Sequence, residues 1–326
     1  MDNLKHMAIK VSFIVVNFNK KDCLQNLIDS IKRHCGNFNY EIIVVDNASS
    51  DGSAQMVRNS FSDVKLIILD RNAGCCPAYN AGFNQTKGQY ICLMHEDIIV
   101  HENTIQRLIE FLDANPRAGY AGPANYDNKG NLQRTVDKFH TPCYDIFFSY
   151  MYIISIIHDN IFHRRKKRLP DKPMKVDYMS ISCLMLKRVA IEGLGFFEND
   201  IAQWWDDPQI QLKMHRASWH GYFLPHAKIT HYRGLTEKGH HESDKVAPIE
   251  LLWIYSKYKY FKKFYGAGGL FMVRCNDSAV FTIYLLTNLF RYYAISKDTN
   301  TKWEINKWLA FLKVALNIKC LDALTP

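Results

Sequence analysis

The stretch "EIIVVDNASSDGS", residues 41–53, decides the fold. Its apolar part, Ile42 to Val45, is β-branched throughout and does not alternate with polar residues. That is the pattern of a strand buried on both faces. Asp46 and Asn47 end the run, and "GSAQMVRNSF" (52–61) reads as a short helix. A doubly buried strand that feeds a helix through a polar loop is half of a βαβ unit. The same pattern recurs on both sides. "VSFIVV" (11–16) precedes Leu24, Leu27, Ile28 and Ile31 at helical spacing, and "KLIIL" (65–69) precedes a weak helix over residues 76–87. "YICLM" (90–94) precedes the amphipathic "NTIQRLIEFLDAN" (103–115). Strands and helices alternating at this interval predict an α/β domain whose mostly parallel sheet is flanked by helices.

Ligands of such sheets bind beyond the carboxyl ends of the strands. Here the strand ends carry Asn17-Phe18-Asn19, Asp46-Asn47, Arg71-Asn72 and His95-Glu96-Asp97. One polar loop is ordinary, whereas four on one rim of one sheet predict a site. The last of them interrupts "ICLMHEDIIV" (91–100), an apolar run that stops for three ionisable residues and then resumes. A solvent turn would recruit Gly, Pro, Asn or Ser. Two adjacent acids at a buried strand end repel each other unless a cation joins them. In "DNASSDGS" (46–53) the polar atoms crowd a helix start, where free backbone N–H groups favour an anion.

A chain of 326 residues, 48% hydrophobic and 22% charged, is globular and long enough for one large domain with an extension. Its net charge of +9 is concentrated in "HRRKKR" (163–168) and around "YSKYKYFKKFY" (255–265). Such a distribution suits an anionic surface better than nucleic acid, and no nucleic-acid partner is expected. The nine cysteines lack CxxC spacing, so neither a zinc site nor a disulfide framework follows, and reduced thiols of a cytoplasmic protein are expected. "MDNLKHMAIKVSFIVV" reaches the first strand without the apolar core of a signal peptide. No apolar run approaches the ~20 residues of a spanning helix.

Residues 126–175 break the alternation and read as an insertion. A strand is expected over "VDYMSISCLMLK" (176–187), then a helix opening near Asp206-Asp207, then a strand in "AKITHYRG" (227–234). From about residue 245 the chain reads as helices rich in aromatic and basic residues. The organisation expected is one domain over 1–240, with its insertion, and a helical region over 241–326.

In this order the motifs resemble those of glycosyltransferase family 2, and its bacterial rhamnosyltransferase-like members most of all. That family has the nucleotide-diphospho-sugar transferase (GT-A) fold, a Rossmann-like sheet. The likeness covers roughly residues 9–235. "VSFIVVNFNK" resembles the opening strand and base-contacting loop, which implies Asn17 and Asn19 in nucleotide-sugar binding. "IIVVDNASSDGS" resembles the second-strand signature, which implies that Asp46 contacts the pyrimidine with Asn47 beside it. "RNAGCCPAYNAGF" resembles an N-x-G…N-x-G segment, implying donor-side roles for Arg71, Asn72, Gly74 and Asn80, with Gly82 closing the motif. "VDYMSISCLMLKR" is similar to the acceptor-side strand, implying Ser180 and Ser182 there, with Trp205 following. "WWDDPQIQLKMHRASW" stands where the family has an acidic pair and a helix, and "PHAKITHYRG" where it has a late metal-binding histidine, here His231.

Two positions depart from the family's pattern. His95 stands where the metal motif has Asp or Asn, so His95 and Glu96 are expected on the donor and Asp97 on the metal. Ile181 stands where a small residue is usual, which narrows or reshapes the acceptor side.

The resemblance implies a divalent ion, Mn²⁺ or Mg²⁺, held by Asp97 and His231 against the donor's diphosphate. His95 either ligates it or hydrogen-bonds a phosphate or sugar hydroxyl, since imidazole is acceptable to Mn²⁺. Taken alone, His231 also reads as a plain strand-end histidine, and His215, His220 and His226 read as ordinary. Transfer needs a base for the acceptor hydroxyl. The family's pattern gives that role to Asp207 and the positioning of the acceptor to Asp206, with inversion at the anomeric carbon. By spacing alone the pair also reads as helix N-terminal acids. The implied donor is dTDP- or UDP-linked, and the acceptor a glycan or a polyprenyl-linked sugar. "YDIFFSYMYIISIIHDNIFHRRKKR" (144–168) joins an apolar run to a basic cluster. It reads as a segment for an anionic membrane surface at the inner face of the cell membrane, or as a core helix with solvated charges. A sugar-nucleotide pyrophosphorylase would instead need a Gly-rich basic loop after the first strand, which "NFNKKDC" lacks. A degenerate interaction module would rest on His95 and Ile181 alone.

Overall fold

A computed structural model describes residues 8–157, 169–201, 205–232, 248–295 and 299–317. In chain order they form β1 (Val11–Asn17), α1 (Lys21–His34), β2 (Tyr40–Asp46), α2 (Ser53–Ser60), β3 (Lys65–Ile68), α3 (Cys75–Phe83), β4 (Tyr90–His95) and β5 (Ile98–Val100). Then come α4 (Thr104–Ala114), β6 (Ala118–Tyr126), β7 (Val136–Asp137), α5 (Pro142–Ile157), β8 (Met174–Val176), β9 (Tyr178–Met179) and β10 (Cys183–Lys187). Last are α6 (Arg188–Ile191), α7 (Asp206–Arg216), β11 (His220–His231), α8 (Pro248–Ala294) and α9 (Thr299–Ala315). The basic cluster 163–168 lies outside the described residues.

The chain divides into two compact units. The first holds the described parts of Met1–Phe139, Lys167–Asn199 and Asp206–Arg233, and the second those of His140–Lys166, Asp200–Trp205 and Gly234–Pro326.

In the first unit one sheet runs β3-β2-β1-β4-β10-β6-β11-β5, with β8 added against β11. β1 is parallel to β2 and β4, and β2 to β3. β10 is antiparallel to β4 and β6, while β11 is parallel to β6 and antiparallel to β5. The unbroken apolar runs have the expected cause. Phe13, Val15, Ile42 and Val44 pack with residues of α1, α2 and α4, while Ile14, Val16, Ile43 and Val45 pack with residues of α3, α6 and α7. Burying each such side chain contributes about 1.5–3 kcal/mol. Gly82 lets α3 close onto the sheet, because a Cβ there would lie 2.5 Å from Ile14 Cγ2 and 3.1 Å from Val45 Cγ2.

The continuous strand expected over 176–187 is broken. β9 pairs with β7 in a separate two-stranded sheet, and the main-sheet strand begins only at Cys183. The cause is local. The N–H of Ser180 donates to the Thr135 carbonyl (2.7 Å), that of Ile181 to Asp207 Oδ1 (2.8 Å) and that of Ser182 to Ser180 Oγ (3.3 Å). The late strand is longer than expected and shifts register between Leu224 and Lys228, around Pro225, which has no N–H to give a ladder.

The second unit is helical. α8 is broken at Gly266, whose φ of 68° is reached at little cost only by glycine. Lys257 is buried, with Nζ 2.8 Å from both Asp145 and Asp277. Burial opposes its charge, but the two carboxylates outweigh that and raise its pKa. Among the described residues no helix is long and apolar enough to cross a membrane.

Candidate active site

The sheet order places the polar strand ends side by side. Asn17 pairs with Asp46 across β1 and β2, Val16 with His95 across β1 and β4, and Asp46 with Ile68 across β2 and β3. Because β10 runs antiparallel to β4, its start meets the end of β4, where the His95 N–H donates to the Ser182 carbonyl at 3.1 Å. Ser182 Oγ accepts from Asn125 Nδ2 at 2.7 Å.

The interrupted run 91–100 is now explained. β4 ends at His95, the chain turns through Glu96 and Asp97, and β5 pairs with β11 rather than with a neighbour of β4. That pairing sets His231 opposite Ile98, and the Tyr232 N–H donates to the Asp97 carbonyl at 2.9 Å. His95, Asp97 and His231 thus each offer a ligand atom, all within 4.8 Å of one another. His231 Nε2 is 3.2 Å from Asp97 Oδ1, a buried oxygen without an aligned hydrogen bond, and the two imidazoles meet edge to face at 5.7 Å.

The cation between the two acids is a residue that sequence reasoning passed over. Lys20 Nζ lies 2.9 Å from Asp97 Oδ2 and 3.1 Å from Glu96 Oε1. Burial disfavours the ammonium, yet Glu96 and Asp97 outweigh that and raise its pKa. Burial pushes the Glu96 carboxyl up, aided by Asp97 and opposed by Lys20. Burial would raise Asp97 too, but the close approach of His231, with the charges of Lys20 and His95, holds it well below the usual carboxylate range. The available signal was position: Lys20 directly follows the polar end of β1, beside the end of β4.

The first two loops form a second cluster. Asn17 Nδ2 donates to Asp46 Oδ1 and to Ser49 Oγ, both at 3.1 Å, and Asp46 Oδ2 accepts the Ser49 N–H at 3.0 Å. Asn17 Oδ1 is buried with no hydrogen-bond partner among the described residues. Asn19 accepts the Ser50 N–H at 2.7 Å, and its own N–H donates to Ser49 Oγ at 3.0 Å. Asn47 reaches across to Asn72 Oδ1 (2.9 Å) and accepts the Ala73 N–H (2.8 Å), while Gly74 starts α3 at φ 85°. The anion expected at the start of α2 is supplied by the chain itself. Asp51 accepts the N–H groups of Ser53 (3.0 Å) and Lys21 (2.8 Å).

Asn80 and Trp205 each have other partners. Asn80 Nδ2 donates to the Phe197 carbonyl (2.9 Å) and to Asn199 Oδ1 (2.6 Å), and its Oδ1 accepts the Phe197 N–H (2.9 Å). Trp205 is 4% exposed and packs in the second unit against Tyr260 and Phe261, with ring centroids 5.0 and 5.7 Å away. Arg71 is exposed. Ser180, Ser182 and Asp207 come together through the broken strand described above. Asp206 and Asp207 open α7, where the helix dipole favours negative charge. Ile181 is fully buried in the apolar core, and its backbone holds Asp207.

A mostly parallel sheet with this strand order, extended through a reversed strand, is that of the GT-A fold. A crystal structure of GalNAc-T7 with UDP, GalNAc and Mn²⁺ shares it, with a TM-score of 0.55 at 14% identity over 81% of this chain and 52% of that one. The profile of Glycosyl transferase family 2 matches residues 12–194, more than half of the chain, which belongs to that family. Among similar proteins, the undecaprenyl-phosphate 4-deoxy-4-formamido-L-arabinose transferase of Edwardsiella ictaluri is 34% identical over 109 residues, 32% of this chain and 34% of that protein. The succinoglycan biosynthesis protein ExoO of Rhizobium meliloti is 35% identical over 32% of this chain and 30% of that one. The N-acetylglucosaminyl-diphospho-decaprenol L-rhamnosyltransferase of Mycobacterium tuberculosis is 21% identical over 59% of this chain and 66% of that one. The matched part spans about a third of the length of the first two relatives.

Proposed function

We propose that this protein is a metal-dependent inverting glycosyltransferase. It moves a sugar, rhamnose or another hexose, from a dTDP- or UDP-linked donor to a hydroxyl of a glycan or polyprenyl-linked acceptor in surface polysaccharide synthesis. One observation carries the reading. The last strand of the sheet brings His231 against Asp97 and His95, on the rim that also holds the amide cluster of the first two loops. The polyprenyl acceptor is supported by the names of the relatives.

Asp46 contacts the pyrimidine of the donor, with its carboxylate oriented by the Asn17 Nδ2 donor and the Ser49 N–H. Asn17 Oδ1, a buried acceptor with no hydrogen-bond partner among the described residues, lies in the same cluster. Asn19, Asn47, Asn72 and Gly74 shape the donor loops, with Arg71 at their exposed edge, and Asn80 braces α3 against the 197–199 loop from behind. The donor set of the His–Asp–His cluster fits a divalent ion, because the buried Asp97 Oδ1 lacks an aligned hydrogen bond. Two imidazoles favour Mn²⁺ over Mg²⁺, which takes oxygen ligands. When bound, the cation stabilises charge on the departing diphosphate. Asp207 takes the acceptor's hydroxyl proton, and Asp206, Ser180 and Ser182 position the acceptor loop. Trp205, buried among aromatic rings, anchors the chain just before the acidic pair.

Nucleoside diphosphate release from a panel of UDP- and dTDP-sugars, with a polyprenyl-linked acceptor, tests the reading. Release should require a divalent ion, run faster with Mn²⁺ than with Mg²⁺ and stop with EDTA. A panel that yields no release under any of these conditions rejects it.

The second unit supplies the membrane partner, at the inner face of the cell membrane. After Gly266, α8 exposes Met272, Ile283, Leu286, Phe290 and Tyr293 at intervals that share one helix face. Exposed Lys262 and Lys263 precede the break at Gly266, and exposed Arg291 lies next to Phe290. An apolar face accompanied by cations suits an anionic leaflet, where each basic residue contributes about 1 kcal/mol that salt screens. Binding to liposomes should need anionic lipid, weaken as salt rises and fall for the pair Leu286→Glu, Phe290→Glu. Dimerisation that the same pair abolishes, with no liposome binding, would assign the face to a second copy instead.

A further inference from the structure

The cation cluster contains a charge of its own. Lys20 Nζ stands on Asp97 Oδ2 and Glu96 Oε1, while His231 Nε2 stands on Asp97 Oδ1. Each oxygen of Asp97 is therefore approached by its own nitrogen. The Lys20 backbone is fixed as the residue before α1, where its carbonyl accepts the Leu24 N–H at 2.9 Å. Its side chain is largely buried, with 13% exposed. An ammonium on a four-carbon stem is a mobile point charge with three donors, unlike the fixed fork of an arginine.

Resting on the function proposed above, we infer that Lys20 is an exchangeable counter-ion of the cation site. In the geometry described above it offsets part of the charge of the Glu96–Asp97 pair. When a divalent ion takes Asp97, the ammonium leaves Asp97 Oδ2 and turns to an oxygen of the donor's diphosphate, keeping Glu96 as its tether. The charge balance favours this order. Two carboxylates are offset in part by one lysine, and a dication added to them leaves a positive surplus that the diphosphate consumes. Metal alone therefore competes with Lys20, whereas metal and nucleotide together cooperate with it. The exchange forms and breaks ion pairs only, with no bond made and no proton moved.

The experiment uses the full chain and two probes, MnCl₂ alone and UDP in the presence of Mn²⁺. Lys20→Met and Lys20→Gln remove the charge, and Lys20→Arg keeps it in a stiffer form. Free Mn²⁺ is followed by its electron paramagnetic resonance signal, UDP binding by calorimetry, and folding of each variant by its melting curve. A hydrogen-bonded charge is worth roughly tenfold in affinity or more. The two neutral variants should bind Mn²⁺ alone about tenfold more tightly than the wild type and bind UDP about tenfold more weakly. Lys20→Arg should keep the weak Mn²⁺ binding of the wild type. Unchanged or weaker Mn²⁺ binding in both neutral variants makes Lys20 a static brace and overturns the inference. Tighter Mn²⁺ binding with unchanged UDP binding overturns the exchange as well, because the ammonium then never reaches the diphosphate. A wild type that binds neither Mn²⁺ nor UDP overturns the functional reading itself, a result distinct from the failure of Lys20 to matter.

Discussion

Asp97→Ala is expected to lower metal-dependent transfer by about 10³-fold while the chain stays folded. Without its carboxylate the cluster would hold the cation poorly, and loss of one preorganised stabilising group at a developing oxyanion costs ~10²–10³ in turnover. Asp97 is also the one carboxylate of the His95–Asp97–His231 cluster. The fold should survive because the turn is held by its backbone. The Asp97 carbonyl keeps the Tyr232 N–H, and Lys20 keeps Glu96. Nucleoside diphosphate release, Mn²⁺ binding and far-UV circular dichroism are the measurements. A variant with near wild-type rate and ordinary metal dependence would remove Asp97 from the site.

Asp207→Asn should cut turnover by ~10²-fold or more with donor binding little changed. The substitution is conservative in structure, since an amide oxygen can still accept the Ile181 N–H now held by Oδ1. It is not conservative in chemistry, because an amide cannot take the hydroxyl proton. Single-turnover rates with saturating donor separate the chemical step from binding. If Asp206→Asn proves crippling and Asp207→Asn mild, the base is Asp206 and the two assignments exchange.

The parallel half of the sheet was readable because doubly buried strands cannot hide. Ile42 to Val45 has apolar neighbours on both faces and shows it as an unbroken run. The rim followed from topology, since the parallel strands β1 to β4 all end on one edge of the sheet. What lay beyond reading depends on contacts between distant segments. The strand over 176–187 looked continuous because the Thr135 carbonyl and Asp207, which divert its N–H groups, lie far away in sequence. Lys20 was hidden because its target depends on where the start of α1 aims a long side chain. Asn80 matched a motif whose chemistry is donor binding, yet its amide is spent on residues 197–199. A motif fixes the residue type and leaves its partners open.

One strand sets the timetable of the molecule. β11 lies between β6 and β5, both made much earlier, and among the described strands β5 pairs only with β11. The bond from Thr104 Oγ1 to the Lys228 carbonyl joins positions 124 residues apart. Contacts of such separation carry the largest loop-closure cost and form late. During synthesis the β1–β4 half can fold, with its amide loops in register, while Asp97 still lacks His231. The His95–Asp97–His231 cluster is thus completed only when β11 inserts, so a nascent or truncated chain that ends before β11 carries the amide loops and Asp97 but not the histidine that faces it.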